Sequence, residues 1–361
     1  TFACILCIFT KDGVCAFACS CDVYAAYSVC GSGYCRTDSR GCGNRSCIFL
    51  GKYILLGGAG FIGQNLARLL LTTNNQIIIY DRNISEKILD TNILEKCQIV
   101  EGNFFEDNNL GKYVNNVDCV VHLISSVSPQ TSMCDIYSGY EKDIKKAIEL
   151  CELCKNNSIK RIVFISSGGT IYGNGNIKKY SEDMQTNPIN NYGIIKLTIE
   201  KILLMYNEIY NMENIILRVS NPYGVWQNPQ KNIGIISVFL DSIMKDKEVI
   251  IYGDGNTVRD YVEIDDVCKA IESVISYKFK QDVCPIFNIG SGVGHSINDI
   301  LKTIEKITEK HANVEYLPSR AIDVKSNVLD INKAKKILNY RHHERPDLHD
   351  AVPHRTRPLH P

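Results

Sequence analysis

Short, fully apolar runs alternate along the chain with longer segments whose apolar residues recur at helical spacing. The runs KYILL, QIIIYD, QIVE, VDCVVHLIS and RIVFISS lack the in–out alternation of a half-exposed strand, so each reads as a strand covered on both faces. After the first run, FIGQNLARLLL places Ile62, Leu66, Leu69 and Leu70 on one helical face. Strand and helix repeated in this order predict an α/β fold with a doubly wound parallel sheet. The expected division is residues 50–220 mainly for that sheet and 221–340 mainly for a smaller C-terminal α/β substrate lobe, with elements of the two interleaving.

The turn between the first strand and helix is GGAGFIG. Gly57 allows a tight turn, Gly60 lets backbone amides approach a pyrophosphate, and Gly63 lets helix and strand pack closely. Phe61 and Ile62 open the helix, whose N-terminus faces the negative phosphates. A glycine triplet alone is weak evidence. Here Asp81 closes the second strand 24 residues after Gly57, where a carboxylate accepts hydrogen bonds from a ribose diol. Together these predict a Rossmann-type site for NAD; a 2′-phosphate would sit against Asp81, and only the adjacent Arg82 points towards NADP. Asn103 and Phe104 end the third strand and are candidates to bracket an adenine, and Leu123, Ile124 and Ser125 end the fourth. Ordinary strand-end packing is the alternative for all five.

Charge changes the picture by what it excludes. Lys and Arg total 40 against 40 Asp and Glu, so no global field draws the chain to nucleic acid or an anionic membrane, and phosphate recognition has to be local. No apolar run approaches the roughly 18 residues of a membrane span, so neither a membrane nor a nucleic-acid partner is expected, and a cytoplasmic location is. The flanks differ from the rest in composition. Residues 50–340 hold 26 of 27 lysines but six of 13 arginines, and nine of 16 cysteines fall between Cys4 and Cys47. Residues 1–49 are therefore expected to be a Cys-rich flank that is not an evolved domain, and 341–361 an unstructured tail. The cysteine spacings contain no pair of Cys-x-x-Cys hairpins at zinc-ribbon distance, and no metal site is expected. Cys151 and Cys154 lie on one face of a helical pattern and read as small core residues.

Beyond the strand RIVFISS comes GGTIYG, and 25 residues past Ser167 stands Tyr192, with Lys196 one helical turn further. That spacing sets phenol and ammonium on one helix face. Lys196 together with an oxidised nicotinamide favours the phenolate and permits general-base work, with Ser167 and Thr170 as nearby hydroxyls.

The motifs GGAGFIG, ISSGGTIYG, YGIIK, RVSNPYG, YGDGNTVRDYVEIDDV, FNIGSG and SRAIDV followed by DINKAKKILNY occur in the order found in extended short-chain dehydrogenase/reductases. Over residues 52–340 the chain resembles the NAD-dependent epimerase/dehydratase family, and within it the UDP-galactose 4-epimerases. The resemblance implies that Tyr192 is the base, Lys196 its positioning partner, and that Arg259 and Arg320 hold a nucleotide diphosphate capped by Asn221. It makes Asp323 the counterpart of a ribose-contacting residue and Asn327 a wall of the sugar pocket, where an amide in place of a bulky tyrosine would admit N-acetylhexosamines. Asp260 and Tyr261 are expected to be structural, and Arg218 to form a structural ion pair. The implied reaction is 4-epimerisation of a UDP-hexose or UDP-N-acetylhexosamine through a 4-keto sugar with bound NAD, in a homodimer. Two departures stand out: Gly168 replaces a hydroxyl residue, and Asp143 stands where an asparagine often supports the cofactor loop. A nucleotide-sugar dehydratase or reductase is the enzymatic alternative, although Gly168 and Gly169 offer no acid pair. The absent hydroxyl at Gly168 motivates the other alternative, a catalytically silent NAD-binding protein.

Overall fold

The computed structural model describes residues 51–343 apart from 88, 176, 232, 321 and 322, together with four short strands nearer the start. Of those strands, Cys7–Phe9 pairs antiparallel with Cys15–Phe17, and Ala26–Cys30 with Gly33–Thr37. Whether the Cys-rich flank is a domain turns on residues that otherwise lie outside the described ones. At the other end, His343 donates its backbone N–H to Asp266 at 2.8 Å, so the first residues of the expected unstructured tail are docked on the body. Residues 344–361 lie outside the described set.

The first half supplies β1 (Lys52–Leu56), α1 (Phe61–Leu71), β2 (Gln76–Asp81), β3 (Gln98–Glu101), β4 (Cys119–His122), α2 (Lys145–Asn156), β5 (Ile162–Ser167) and α3 (Asn191–Tyr210). The second half adds β6 (Ile215–Val219), β7 (Asn221–Tyr223), α4 (Ile235–Met244), β8 (Val249–Tyr252), β9 (Val258–Glu263), α5 (Ile264–Ile275) and β10 (Ile286–Ile289). It ends with β11 (Gly294–Ser296), α6 (Ile297–Thr308), β12 (Val314–Leu317), β13 (Ser326–Asn327) and α7 (Asn332–Leu338). Seven strands form one parallel sheet in the order β10-β6-β5-β4-β1-β2-β3. The chain winds outwards in both directions from β1, so the crevice between β1 and β4 is the point where such sheets bind ligands.

Both sheet faces are covered, which explains the unbroken apolar runs. Leu55, Ile77 and Ile79 pack with Leu66 and Leu70 of α1 and with Val267 and Ile271 of α5. The alternate residues Ile54, Leu56 and Ile78 pack with Leu150 of α2 and with Ile195, Ile199 and Leu203 of α3. Full burial of each Leu or Ile contributes about 1.5–3 kcal/mol. A third cluster, built on Ile236, Phe239, Val249, Ile251, Ile300 and Ile304, gives the second lobe its own core. Cys151 and Cys154 are fully buried with free thiols, as small core residues are.

The position of α3 decides the site. Asn190 caps its N-terminus by accepting the Gly193 N–H at 2.9 Å, and Asn191 donates to the Ser132 and Ile136 carbonyls, each at 3.0 Å. Two turns on, the fully buried Glu200 accepts from Arg218 of β6 at 2.8 Å and from the Ser166 hydroxyl of β5 at 2.6 Å. Arg218 is thus the structural ion pair expected of it. Burial works against its charged form, and the hydrogen bonds and charge of Glu200 outweigh that penalty. Replacing Glu200 with Gln leaves a buried guanidinium without its counter-charge. We expect a loss of about 3–5 kcal/mol in denaturant unfolding of the full chain, with a loss below 1 kcal/mol arguing against this anchoring.

Candidate active site

A cavity of about 550 Å³ opens above the C-terminal ends of β1, β4, β5 and β6, facing the second lobe. The β1–α1 turn forms one end. Gly57 has φ +84°, a conformation that a side chain strains, and donates its N–H to the Tyr80 carbonyl at 2.8 Å. A Cβ on Gly63 would stand 2.5 Å from the Gly58 backbone, whereas one on Gly60 would meet only the Gly57 carbonyl, at 3.1 Å. Gly57, Gly60, Phe61, Ile62 and Gly63 all line the cavity, so the turn offers bare backbone to a ligand. Asp81 accepts the Ala59 N–H at 3.1 Å and pairs with Lys87 at 2.7 Å. Lys87 was not legible in the sequence, because no periodicity ties RNISEK to the strand end. Arg82 is exposed beside it.

The strand ends divide. Leu123 lines the cavity, while Ile124 lies against Gly57 and Ser125 is half-buried. Asn103 turns its side-chain oxygen to the Phe105 N–H at 3.2 Å. Phe104 corrects the adenine-bracket reading: its ring is 4% exposed and packs on His122 and Phe105, so strand-end packing holds it and no face is free for a base.

Tyr192, Ser167 and Thr170 line the middle of the cavity. The Thr170 hydroxyl is buried and has no partner among the described residues. Lys196 is buried, donates to the Ile165 carbonyl at 3.1 Å, and places its ammonium 5.6 Å from the Tyr192 ring centroid. Burial lowers this ammonium to about 8, against the opposing charges of Asp143 and Glu200. Burial also pushes the Tyr192 phenol above its usual range, and Asp143 adds to the push. Gly168 brings a second correction. A Cβ there would meet Leu329 at 2.6 Å and the Arg218 carbonyl at 2.9 Å, so a serine hydroxyl at this position would be driven into the core. The position open to the cavity is Gly169.

Arg259, Arg320, Asp323 and Asn221 line the far end. Arg320 is committed to Asp323 through two bonds of 2.9 and 3.0 Å and lies 4.2 Å over the Tyr252 ring. Arg259 donates to the Val258 carbonyl at 2.9 Å, and no carboxylate pairs with it among the described residues. Burial works against its charge, with Tyr261 and Asp323 opposing that effect. Asn221 is held by the Asp260 carbonyl at 2.8 Å. Asp260 is structural as expected, accepting from Ser291, Gly292 and Leu329. Tyr261 is not only structural: it lines the cavity with its hydroxyl buried and without a partner among the described residues.

Asn327 is a correction. It is fully buried on β13 and donates its amide to the Gly168 carbonyl at 3.0 Å, so it faces the protein interior and not the sugar pocket. Replacing Asn327 with Tyr is expected to lower the melting temperature by several degrees and to depress turnover of N-acetylated and plain sugars alike. A stable variant that loses only the N-acetylated substrate would reinstate the residue as a selector.

A glycine turn at a sheet crossover, a tyrosine and lysine on the neighbouring helix and an arginine-lined second lobe together define a dinucleotide-dependent enzyme of the short-chain dehydrogenase/reductase type. Residues 53–290 match the NAD dependent epimerase/dehydratase family, and the chain belongs to that family. A putative UDP-glucose 4-epimerase of Methanocaldococcus jannaschii is 33% identical, over 79% of this chain and 91% of its own. Among solved structures, a UDP-glucose 4-epimerase of Thermotoga maritima with UDP-glucose superposes with TM-score 0.77 at 29% identity, over 83% of this chain and 97% of the other. A UDP-glucuronic acid 4-epimerase of Bacillus cereus with UDP-glucuronic acid and NAD does so with TM-score 0.74 at 27% identity, over 83% and 96%. Among the described residues no helix is long and apolar enough to cross a membrane.

Proposed function

We propose that this chain is a nucleotide-sugar 4-epimerase that acts on UDP-hexoses or UDP-N-acetylhexosamines with bound NAD. The observation that carries the reading is one continuous cavity. It joins bare glycine backbone at one end, a tyrosine and a threonine hydroxyl in the middle and an arginine at the other, and among the described residues that hydroxyl has no partner and that arginine no carboxylate. A cationic fork left unneutralised at a cavity wall suits the oxygens of a diphosphate.

In this reading the amides of the Gly57–Gly63 turn and the N-terminus of α1 hold the cofactor's pyrophosphate, and Asp81 faces its ribose. Oxidised nicotinamide supplies a hydride acceptor that later returns the hydride, so no external oxidant is consumed. Lys196 positions Tyr192, which takes the proton of the substrate's 4-hydroxyl and returns it on the other face of the sugar. Ser167 or Thr170 holds that oxygen, while Arg259 and Arg320 hold the diphosphate, with Asn221 beside them and Asp323 fixing Arg320. Neither hydroxyl depends on Gly168, so the absence of a side chain there does not argue for a silent protein.

The exposed apolar side chains Tyr137, Ile148, Ile194, Met205 and Ile209, on or beside α2 and α3, fit a face shared with a second copy in a homodimer. Buried thiols such as Cys97 and Cys268, free among the described residues, fit the reducing cytoplasm. The purified chain should convert UDP-glucose to UDP-galactose, or the corresponding N-acetylhexosamines, with no net change in NADH. Tyr192→Phe should lower kcat by about 10²–10⁴-fold with KM nearly unchanged. A variant retaining half of the activity would remove Tyr192 from the chemistry.

A further inference from the structure

The turn that follows β2 brings a cation back to the acid at the cofactor's ribose. Asn83 adopts φ +51°, in the left-handed region, and Ile84–Glu86 form one turn of 3-10 helix, closed by the Lys87 N–H donating to the Ile84 carbonyl at 3.0 Å. From β3, Glu101 accepts the Ser85 N–H at 3.4 Å and ties this turn to the sheet. Three donors then converge on the Asp81 carboxylate. Its Oδ2 accepts the Ala59 N–H of the glycine turn at 3.1 Å, and its Oδ1 accepts the Arg82 N–H at 2.8 Å and the Lys87 ammonium at 2.7 Å. An ionised carboxylate has about four acceptor sites, so little capacity remains for both hydroxyls of a ribose diol.

An acid at this place discriminates against NADP because a 2′-phosphate, carrying a charge of about −1.5 to −2, meets a carboxylate and no donor. In this chain the acid is already paired. The Asp81 side chain is 12% exposed and that of Lys87 26%, so the ammonium stands on the solvent side of the pair, and the Arg82 side chain beside it is exposed. An ammonium has three donors, and Asp81 needs only one of them. We propose that Lys87 is a specificity-determining residue at the adenosine end of the site: its ammonium meets the 2′-phosphate of NADP, so that this chain binds NADP as well as NAD. The proposal rests on the functional reading above for the placing of the ribose at Asp81. The phosphate draws Lys87 from an acceptor with one negative charge to one with more, and Arg82 supplies a second cation.

The test is a competition in the full chain. The purified protein is incubated with equal, excess concentrations of NAD⁺ and NADP⁺ until the retained ratio is constant, then desalted and denatured, and the released nucleotides are separated and counted by chromatography. This readout needs no sugar turnover. The wild type should retain both, with NADP above about one part in a hundred of NAD, because a charge-assisted bond offsets that much of a penalty. Lys87→Ala should lower the NADP-to-NAD ratio by at least about tenfold, and Lys87→Arg, which keeps the cation, should lower it by less than that. A wild-type ratio below one part in a hundred, or a smaller drop in Lys87→Ala, would make Lys87 a structural partner of Asp81 only and overturn the proposal. If Lys87→Ala does not fold, Lys87→Gln keeps most of the stem and is read against the same bound. A wild type that retains both nucleotides but epimerises no UDP-sugar would sink the functional reading and leave this one standing, whereas one that retains neither would overturn both.

Discussion

The buried ion pair between Arg218 and Glu200 holds the helix that carries Tyr192 and Lys196 against the end of the central sheet. Glu200 lies one helical turn beyond Lys196, so a fixed carboxylate there fixes the face on which tyrosine and lysine point. The pair joins three elements at once, since Ser166 of β5 and Arg218 of β6 both reach the same carboxylate. The Tyr172 hydroxyl accepts from Arg218 at 3.0 Å, which draws the segment after Ser167 and Thr170 into the same network. Charges buried this deeply persist only when partnered, and one partner here, Ser166, lines the cavity.

Around that anchor the cavity is divided by charge. Its catalytic middle contains groups that burial drives towards neutrality: the phenol of Tyr192 is pushed up, and the amine of Lys196 is brought down to about 8. At the substrate end Arg320 is paired with Asp323, and Arg259 pairs with no carboxylate among the described residues. A ligand bringing negative charge to Arg259 and a neutral hydroxyl to Tyr192 meets both demands, and a nucleotide-diphosphate sugar has that distribution. The net charge of zero is consistent with it, because attraction is confined to one wall.

Much of this was legible in the sequence, for identifiable reasons. Apolar runs without alternation announced a sheet covered on both faces, and both faces are covered by helices. The glycine turn was readable because each glycine answers a local steric demand, such as the 2.5 Å approach that a Cβ on Gly63 would make to Gly58. What escaped depends on contacts between distant segments. Asn327 looked like a pocket wall because position along the chain says nothing of direction; pairing β13 with β9 turns its amide to Gly168, 159 residues away. Phe104 looked like a ligand contact at a strand end, yet the aromatic stack with His122 claims its ring. The Lys87–Asp81 pair and the turn of Asp143 towards Ser126 likewise arise from tertiary folding and carry no periodic signature.

In the proposed reaction one hydride leaves and returns to the same carbon of a nucleotide sugar within one cavity. The purified chain, incubated with UDP-hexose deuterated at C4, should yield a mixture of the two C4 epimers, each retaining the deuterium at C4 by mass spectrometry and NMR. Migration of the label to another carbon, or its loss to solvent, would rule that reaction out.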